Sequence, residues 1–388
     1  MSAVTGAVGS SAGSLAAVSP STNVAFGLLG GLVMMGLLLR YSSVVPRRQR
    51  IVRGPGLSGM IQTNVLWLSG GVLLGTAGLA LVALMVGDFP IPAEAALRTA
   101  AGLETDADFD FIVNTIRFPR LVVAIEAGIA LAIAGALFQA LIDNPLVSPD
   151  IIGINSGAAA LAVVVLVLGS DLSILPWAAV VGATVTGCLI YALAWRGGVS
   201  GARLVLVGIG VNALLGAAIT FVLVWNPIDR VAVAARWQAG SLFGATWSDA
   251  RTLGIGLALL LPLAFFLSRR VRVLQLGDDV AAGLGVHPER DRLIVILVAA
   301  ALAAVAVSIV GPLAFVSLLV PHFTRLVAGP LTGGQLLLTG LFGGLLLLGS
   351  DVVAQRMFAP TAIPAGIVTA ALGGPYFLYL LARYQRDL

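Results

Sequence analysis

Residues 117–153 read RFPRLVVAIEAGIALAIAGALFQALIDNPLVSPDIIG. Arg117 and Arg120 flank Pro119 at the start of the stretch. The run Asn144-Pro145-Leu146-Val147-Ser148-Pro149-Asp150-Ile151-Ile152-Gly153 closes it. Between them, residues 121–142 are almost wholly apolar and just long enough to cross a ~30 Å hydrocarbon layer as a helix. The arrangement predicts a membrane span with paired arginines on one face and a proline-broken turn on the other.

The rest of the chain fits that reading. With 59% hydrophobic residues, 10% charged residues and a mean hydropathy of +1.04, it cannot cover itself with a water-soluble surface. Apolar runs of spanning length lie at 65–87, 121–142, 151–170, 172–195, 204–228, 252–268, 293–310, 312–327, 331–350 and 361–382. Ten spans make an all-α integral membrane protein, and the 47 glycines favour close helix contacts within it.

Several function classes drop out. The chain has no lysine, all 22 basic residues being arginine, so it cannot supply the lysine of a phosphate-binding P-loop. The lone Cys188 forms no intrachain disulfide, and His287 and His322 have no acidic cluster beside them, so no metal site is expected. No nucleophile or catalytic group is recognisable, and no nucleic-acid partner is expected of a chain whose surface meets membrane lipid. An ion-coupled secondary transporter would carry several intramembrane acids or bases, whereas Glu126 stands nearly alone well inside a span. Such a group is functional by default, or it pairs with an arginine near the outer interface.

Orientation follows from the arginines. Ten spans with the preceding segment inside put Arg40, Arg47, Arg48, Arg50, Arg53, Arg196, Arg203, Arg269, Arg270, Arg272, Arg290, Arg292, Arg325, Arg383 and Arg386 on the cytoplasmic side. Arg98, Arg117, Arg120, Arg230, Arg236, Arg251 and Arg356 fall outside, a bias consistent with retention of basic loops in the cytoplasm. The outer arginines are then either interfacial anchors or a surface that meets an acidic partner. Residues 1–60 form an extension ahead of the transmembrane domain at 61–388. Its first 22 residues carry no charge and read as disordered, while Val24–Leu39 reads as an eleventh, accessory helix, the alternatives being an interfacial segment or a mis-assigned start.

Further motifs occur downstream: Leu276-Gly277-Asp278-Asp279-Val280-Ala281-Ala282-Gly283-Leu284-Gly285-Val286, then Gly311-Pro312-Leu313-Ala314-Phe315-Val316, Val320-Pro321-His322-Phe323-Thr324-Arg325 and Ile363-Pro364-Ala365-Gly366. With Asn144, Pro145, Pro149 and Gly153 they form an ordered set in which the chain resembles the FecCD-type permeases, the cobalamin and siderophore importer subunits of ABC transporters. Leu193-Ala194-Trp195-Arg196, Val207-Gly208-Ile209-Gly210-Val211 and Ala239-Gly240-Ser241-Leu242 resemble the ferric-enterobactin branch.

The resemblance implies a type II ABC importer permease in the cytoplasmic (inner) membrane, carrying an iron(III)-siderophore complex, catecholate in preference to others, with cobalamin or haem as the alternative cargo. It implies four partners: an ATPase dimer holding ATP and Mg, a second permease identical or homologous to this chain, a periplasmic or lipid-anchored binding protein, and membrane lipid. No cofactor is expected on this chain itself. Gly277, Asp278, Asp279, Ala281, Gly283, Leu284 and Gly285 would couple to the ATPase, Asp278 and Asp279 capping one short helix and Pro288-Glu289 opening a second. Arg117, Arg120 and an arginine ending span nine would engage the binding protein. Here Gln355 holds that place and Arg356 follows one residue later, a ~100° rotation on a helix. Span five would line the passage through Gly208, Gly210 and Asn212, with Ser200 and Arg203 in the loop that closes it.

Overall fold

The computed structural model describes residues 49–384 except 55–56, 88, 104–106, 170–171, 197–199 and 360. The reading of 24–39 as a helix and of the first 22 residues as disordered falls outside the described residues.

The chain opens with an antiparallel hairpin, β1 (Gln49–Gly54) and β2 (Leu57–Gln62), pairing Gln49 with Gln62. This hairpin departs from the otherwise helical pattern and runs across the expected domain boundary. Helices follow: α1 (Thr63–Met85), α2 (Ala93–Ala100), α3 (Phe118–Ile142), the single turn α4 (Pro149–Ile152), α5 (Ile154–Leu168), α6 (Leu175–Ala194) and α7 (Gly201–Val224). Then come α8 (Ile228–Gln238), α9 (Trp247–Leu274), the short α10 (Asp278–Gly283), α11 (Pro288–Val310), α12 (Val316–Ala328), α13 (Gly333–Arg356) and α14 (Ala365–Tyr384). A π-helical turn at Phe111–Arg117 leads into α3. Eight helices among the described residues are long and apolar enough to span a membrane, and α5 and α12 are shorter apolar helices. Together they account for the ten runs read from the sequence.

Local chemistry sets the boundaries. Pro119 stands at the second position of α3, where the π-helical turn at Phe111–Arg117 gives way to regular α-helix. Thr246 and Asp249 form a reciprocal capping box on α9: the Asp249 N–H donates to Thr246 Oγ1 at 3.3 Å, and the Thr246 N–H donates to Asp249 Oδ2 at 2.8 Å.

The buried centre of the bundle is α3, lined by α9, α11, α12 and α13. Most of its residues from Val123 to Ala140 are inaccessible. Small residues permit this: a Cβ on Gly128 would overlap the Gly343 carbonyl of α13, and a Cβ on Gly343 would overlap the Gly128 carbonyl. Lipid-phase helix association rests on such close backbone approach, because no hydrophobic difference separates helix from acyl chain.

Two spans do not cross the whole thickness. At 15 and 13 residues, α5 and α12 are roughly 22 and 20 Å long, short of the ~30 Å core. The Ser317 backbone, at the start of α12, packs against Gly135, about 25 Å along α3 from Phe118. Gly153, at the start of α5, packs against Asn212, about 16 Å along α7 from Gly201. Both helices therefore begin in the middle of the bundle. The Asn144–Gly153 motif climbs from the end of α3 into the interior, so its expected position as a turn on the membrane face is corrected. The Gly311–Phe315 segment descends from the opposite side to meet it. Unwound backbone at this depth is tolerated when it is buried in protein or lines a cavity.

Candidate functional site

Three tiers of polar contacts run along the bundle. At the end where α3 starts and α13 finishes, Arg120 forms a bidentate pair with Asp351, Nε to Oδ2 at 2.8 Å and Nη2 to Oδ1 at 2.7 Å. The pair is largely buried, the side chains being 17% and 3% exposed, and Gln355 donates to Asp351 Oδ2 at 2.9 Å. Arg117 donates to the carbonyls of Leu84 and Phe89, fastening the exit of α1. Arg356 is half-buried at the last position of α13. The three arginines expected to face a partner thus gather at one end, with Arg117 and Arg120 also holding the chain's own elements.

The middle tier joins the two broken spans. Asp150, in α4, accepts from Ser317 Oγ at 2.8 Å and from the Phe315 N–H at 3.5 Å, at the beginning of α12. A carboxylate there complements the partial positive charge of a helix N-terminus. Ser156 donates to Asn212 Oδ1, and Gly208 lies against Ile152, so these two span-five positions hold α4 and α5 in place. Gly210 has open space beside it on the exposed face of α7. Among the structural motif residues, Asn144 caps the turn by accepting from the Leu146 N–H at 2.9 Å, and Pro149 starts α4. Pro145 sits between them. Gly153 and Gly311 take φ of 97° and 72°, where a side chain would be strained. Pro312 packs against Gly240, and the Gly366 N–H donates to the Gly240 carbonyl at 3.0 Å just after Pro364. Pro321 lies inside α12, and the His322 ring sits 5.9 Å from that of Tyr376.

A cavity of about 470 Å³ opens beside this junction. Asn155, Ser156, Gly216, Thr220, Gln238, Leu313 and Asp150 are among its walls. Gln238 reaches it because α8 turns back into the bundle: Arg230 donates to the Val167 carbonyl at 2.8 Å near the end of α5, and Trp237 meets Gly311. The connection 229–251, expected outside the bundle, thus enters it, and the contacts made by Asp150, Asn155, Ser317 and Asp351 are not legible in the sequence. The available signal was polarity in otherwise apolar company, which Asp150 and Asn155 share with Glu126. The Glu126 carboxylate lies near Gly254 of α9, its Oε2 buried without a hydrogen bond and no arginine paired to it among the described residues.

At the third tier Arg325 meets Asp143 at 3.3 Å, Gln275 donates to the Ala140 carbonyl and Arg203 to the Ala194 carbonyl. Ser200 stands at the N-cap of α7 without a side-chain capping bond. Beyond this tier projects α10. Its N-cap is Gly277, φ 97°, while Asp278 is drawn to Arg292 of α11 at 2.6 and 3.1 Å, so the expected capping by Asp278 and Asp279 is corrected. Pro288 opens the long α11 itself and no second short helix forms. Ala281 is buried beneath α10, Gly283 has open space, Asp279 is exposed and Gly285 reverses the chain at φ 78°. Leu276, Val280 and Leu284 are 60%, 50% and 63% exposed, an apolar knob outside the bundle.

The sequence profile of the FecCD transport family matches residues 74–383. The ferric enterobactin transport system permease protein FepG of Escherichia coli is 42% identical over 276 residues, covering 71% of this chain and 83% of its own length. The achromobactin transport system permease protein CbrC of Dickeya dadantii is 45% identical over 279 residues, 71% of this chain and 79% of its own. A solved metal-chelate type ABC transporter in an inward-facing conformation superposes with a TM-score of 0.74 at 26% identity, covering 82% of this chain and 99% of the other.

Proposed function

Because this chain belongs to the FecCD transport family, we propose that it is the membrane-spanning permease of an ATP-driven importer that carries an iron(III)-siderophore complex inward. Its fold is that of a type II ABC importer permease, a multi-pass membrane protein. The observation that carries the cargo assignment is the 42–45% identity to the ferric enterobactin and achromobactin transport system permeases across most of their lengths.

The driving chemistry belongs to a separate ATPase dimer, which holds ATP and Mg and receives the α10 knob. Apolar side chains exposed beyond the membrane gain by burial in a cleft, and Leu276, Val280 and Leu284 offer that surface. Movement of α10 passes through the Asp278–Arg292 pair to α11. The far end of α11 feeds the Gly311–Phe315 segment and, through the Ser241 N–H bonded to the Val310 carbonyl, the exit of α8. Asp150 then links that segment to the Asn144–Gly153 motif. A push at one end therefore reaches both broken spans and the cavity between them.

Arg117, Arg120 and Arg356 mark the docking end for the binding protein, and a second permease subunit completes the passage along α7. Deleting this chain and supplying it from a plasmid tests the assignment with radiolabelled iron given as catecholate, hydroxamate and citrate complexes. Restored uptake of at least one ferric chelate is expected. Restored cobalamin or haem uptake with no ferric chelate transported would contradict the cargo class.

A further inference from the structure

An exposed stripe runs the length of α9. Ile255, Leu259, Leu263 and Phe266 are exposed apolar side chains spaced by three or four residues, and Arg269 and Arg272, also exposed, continue the same line. The helix packs against α3 and α11, whereas α7, along which the second permease is proposed, packs against α4, α5 and α6. The stripe is therefore left to the acyl chains. Its depth fits a bilayer. Trp247, whose indole N–H donates to the Asn114 carbonyl at 2.7 Å, marks the outer end. Arg269 and Arg272 stand about 33 and 38 Å further along, just past a ~30 Å hydrocarbon core and at the depth of phospholipid phosphates. Neither arginine has an ion pair or a side-chain hydrogen bond among the described residues. Arg270 between them is already engaged: its Nη1 donates to Asp291 Oδ1 at 2.5 Å, and its guanidinium lies 5.1 Å from the centre of the Phe266 ring. Asp291 is wholly buried, and Asp278 and Glu289 turn to Arg292, so these acids leave the exposed pair its charge.

We propose that Arg269 and Arg272 hold the phosphate of an anionic phospholipid of the cytoplasmic leaflet, its acyl chains lying along Phe266, Leu263 and Leu259. Guanidinium forks match phosphate oxygens in geometry as well as charge. A lipid supplies both halves of what the stripe offers, an anion at the basic end and hydrocarbon along the apolar one. The site lies where α9 gives way to α10, so the head group stands at the root of the exposed knob. It does not depend on which cargo the chain carries.

The experiment titrates phosphatidylglycerol or phosphatidylcholine into the purified chain in non-ionic detergent and reads bound lipid by native mass spectrometry. The wild type is compared with Arg269→Gln/Arg272→Gln, with Arg269→Lys/Arg272→Lys and, as a control for lost charge at the outer end, with Arg236→Gln/Arg251→Gln. Thermal stability without lipid is followed in parallel. Phosphatidylglycerol is expected to bind the wild type about tenfold more tightly than phosphatidylcholine. The double glutamine variant should lose about 25-fold in phosphatidylglycerol affinity, about fivefold for each arginine, with phosphatidylcholine affinity and melting temperature unchanged. The lysine variant keeps the charge without the fork and should lose less, and the outer control should match the wild type. Equal phosphatidylglycerol affinity in the wild type and the glutamine variant, or an equal loss in the outer control, would overturn the site. Glycerol phosphate binding as tightly as the lipid would overturn it too, leaving an anion site with no use for the apolar stripe. A lowered melting temperature in both the glutamine and lysine variants would make the arginines structural. Weaker capture of the ATPase by the glutamine variant in the absence of phospholipid would give the surface to that partner and overturn the lipid site.

Discussion

Arg120 and Asp351 lie 231 residues apart in sequence and form a largely buried, two-pronged ion pair that clamps the start of α3 to the end of α13. Removing one partner strands a charge in a poorly solvated place, which typically costs about 3–5 kcal/mol, far more than an exposed pair is worth. Asp351→Ala is therefore expected to lower the melting temperature of the purified chain strongly. The double variant Arg120→Ala/Asp351→Ala should lose clearly less than the sum of the two single losses. Additive losses in that cycle would mean that the pair does not couple the helices. Arg120 belongs to a recognisable motif, but the sequence shows it only as a charge at a helix start. What it withheld was the partner, because a contact of that separation is made by packing α3 against α13 and leaves no local trace. Asp150 and Ser317, 167 residues apart, were hidden for the same reason.

The apolar runs were legible because a ~30 Å hydrocarbon layer demands length and composition that nothing else in a chain imitates. The depth at which α5 and α12 begin was not, since glycine and proline mark a break without saying how far the chain travels before the helix resumes. Close packing fixes that depth, and it can be tested by contrast. Gly135→Val would drive a branched side chain into the Ser317 backbone and should displace α12, with loss of folded protein in detergent. Gly210→Val meets open space on α7 and should fall within about 1 kcal/mol of wild type, mainly through helix propensity. Equal stability of the two variants would place the start of α12 elsewhere. The knob at α10 makes a second claim at this level. Leu284→Asp puts a charge where burial in a partner is proposed and leaves the bundle untouched, as Leu284 is 63% exposed. Such a variant should hydrolyse ATP with its partners yet import little, and unimpaired import would remove α10 from the coupling path.

Taken as one body, the molecule is a bundle whose two incomplete spans meet at mid-depth, with an ionic clamp at one end and an apolar knob at the other. The ends were readable in advance from the arginine bias and from the exposed Gly-Asp-Asp run; the interior junction required the folded chain. In the proposed function, passage through this junction is driven by a separate ATPase and not by an ion gradient acting on the chain itself. Glu126 is the group that would serve the rival, being a carboxylate inside a span with no ion pair among the described residues. The decisive measurement is uptake of radiolabelled ferric chelate into proteoliposomes holding the permease with its ATPase, binding protein supplied outside, and ATP either trapped with the ATPase or omitted. Uptake is expected to require ATP, the ATPase and the binding protein, and to persist when an uncoupler collapses any proton gradient. Uptake by the permease without its ATPase, driven by a proton or sodium gradient and lost in Glu126→Gln, would contradict it.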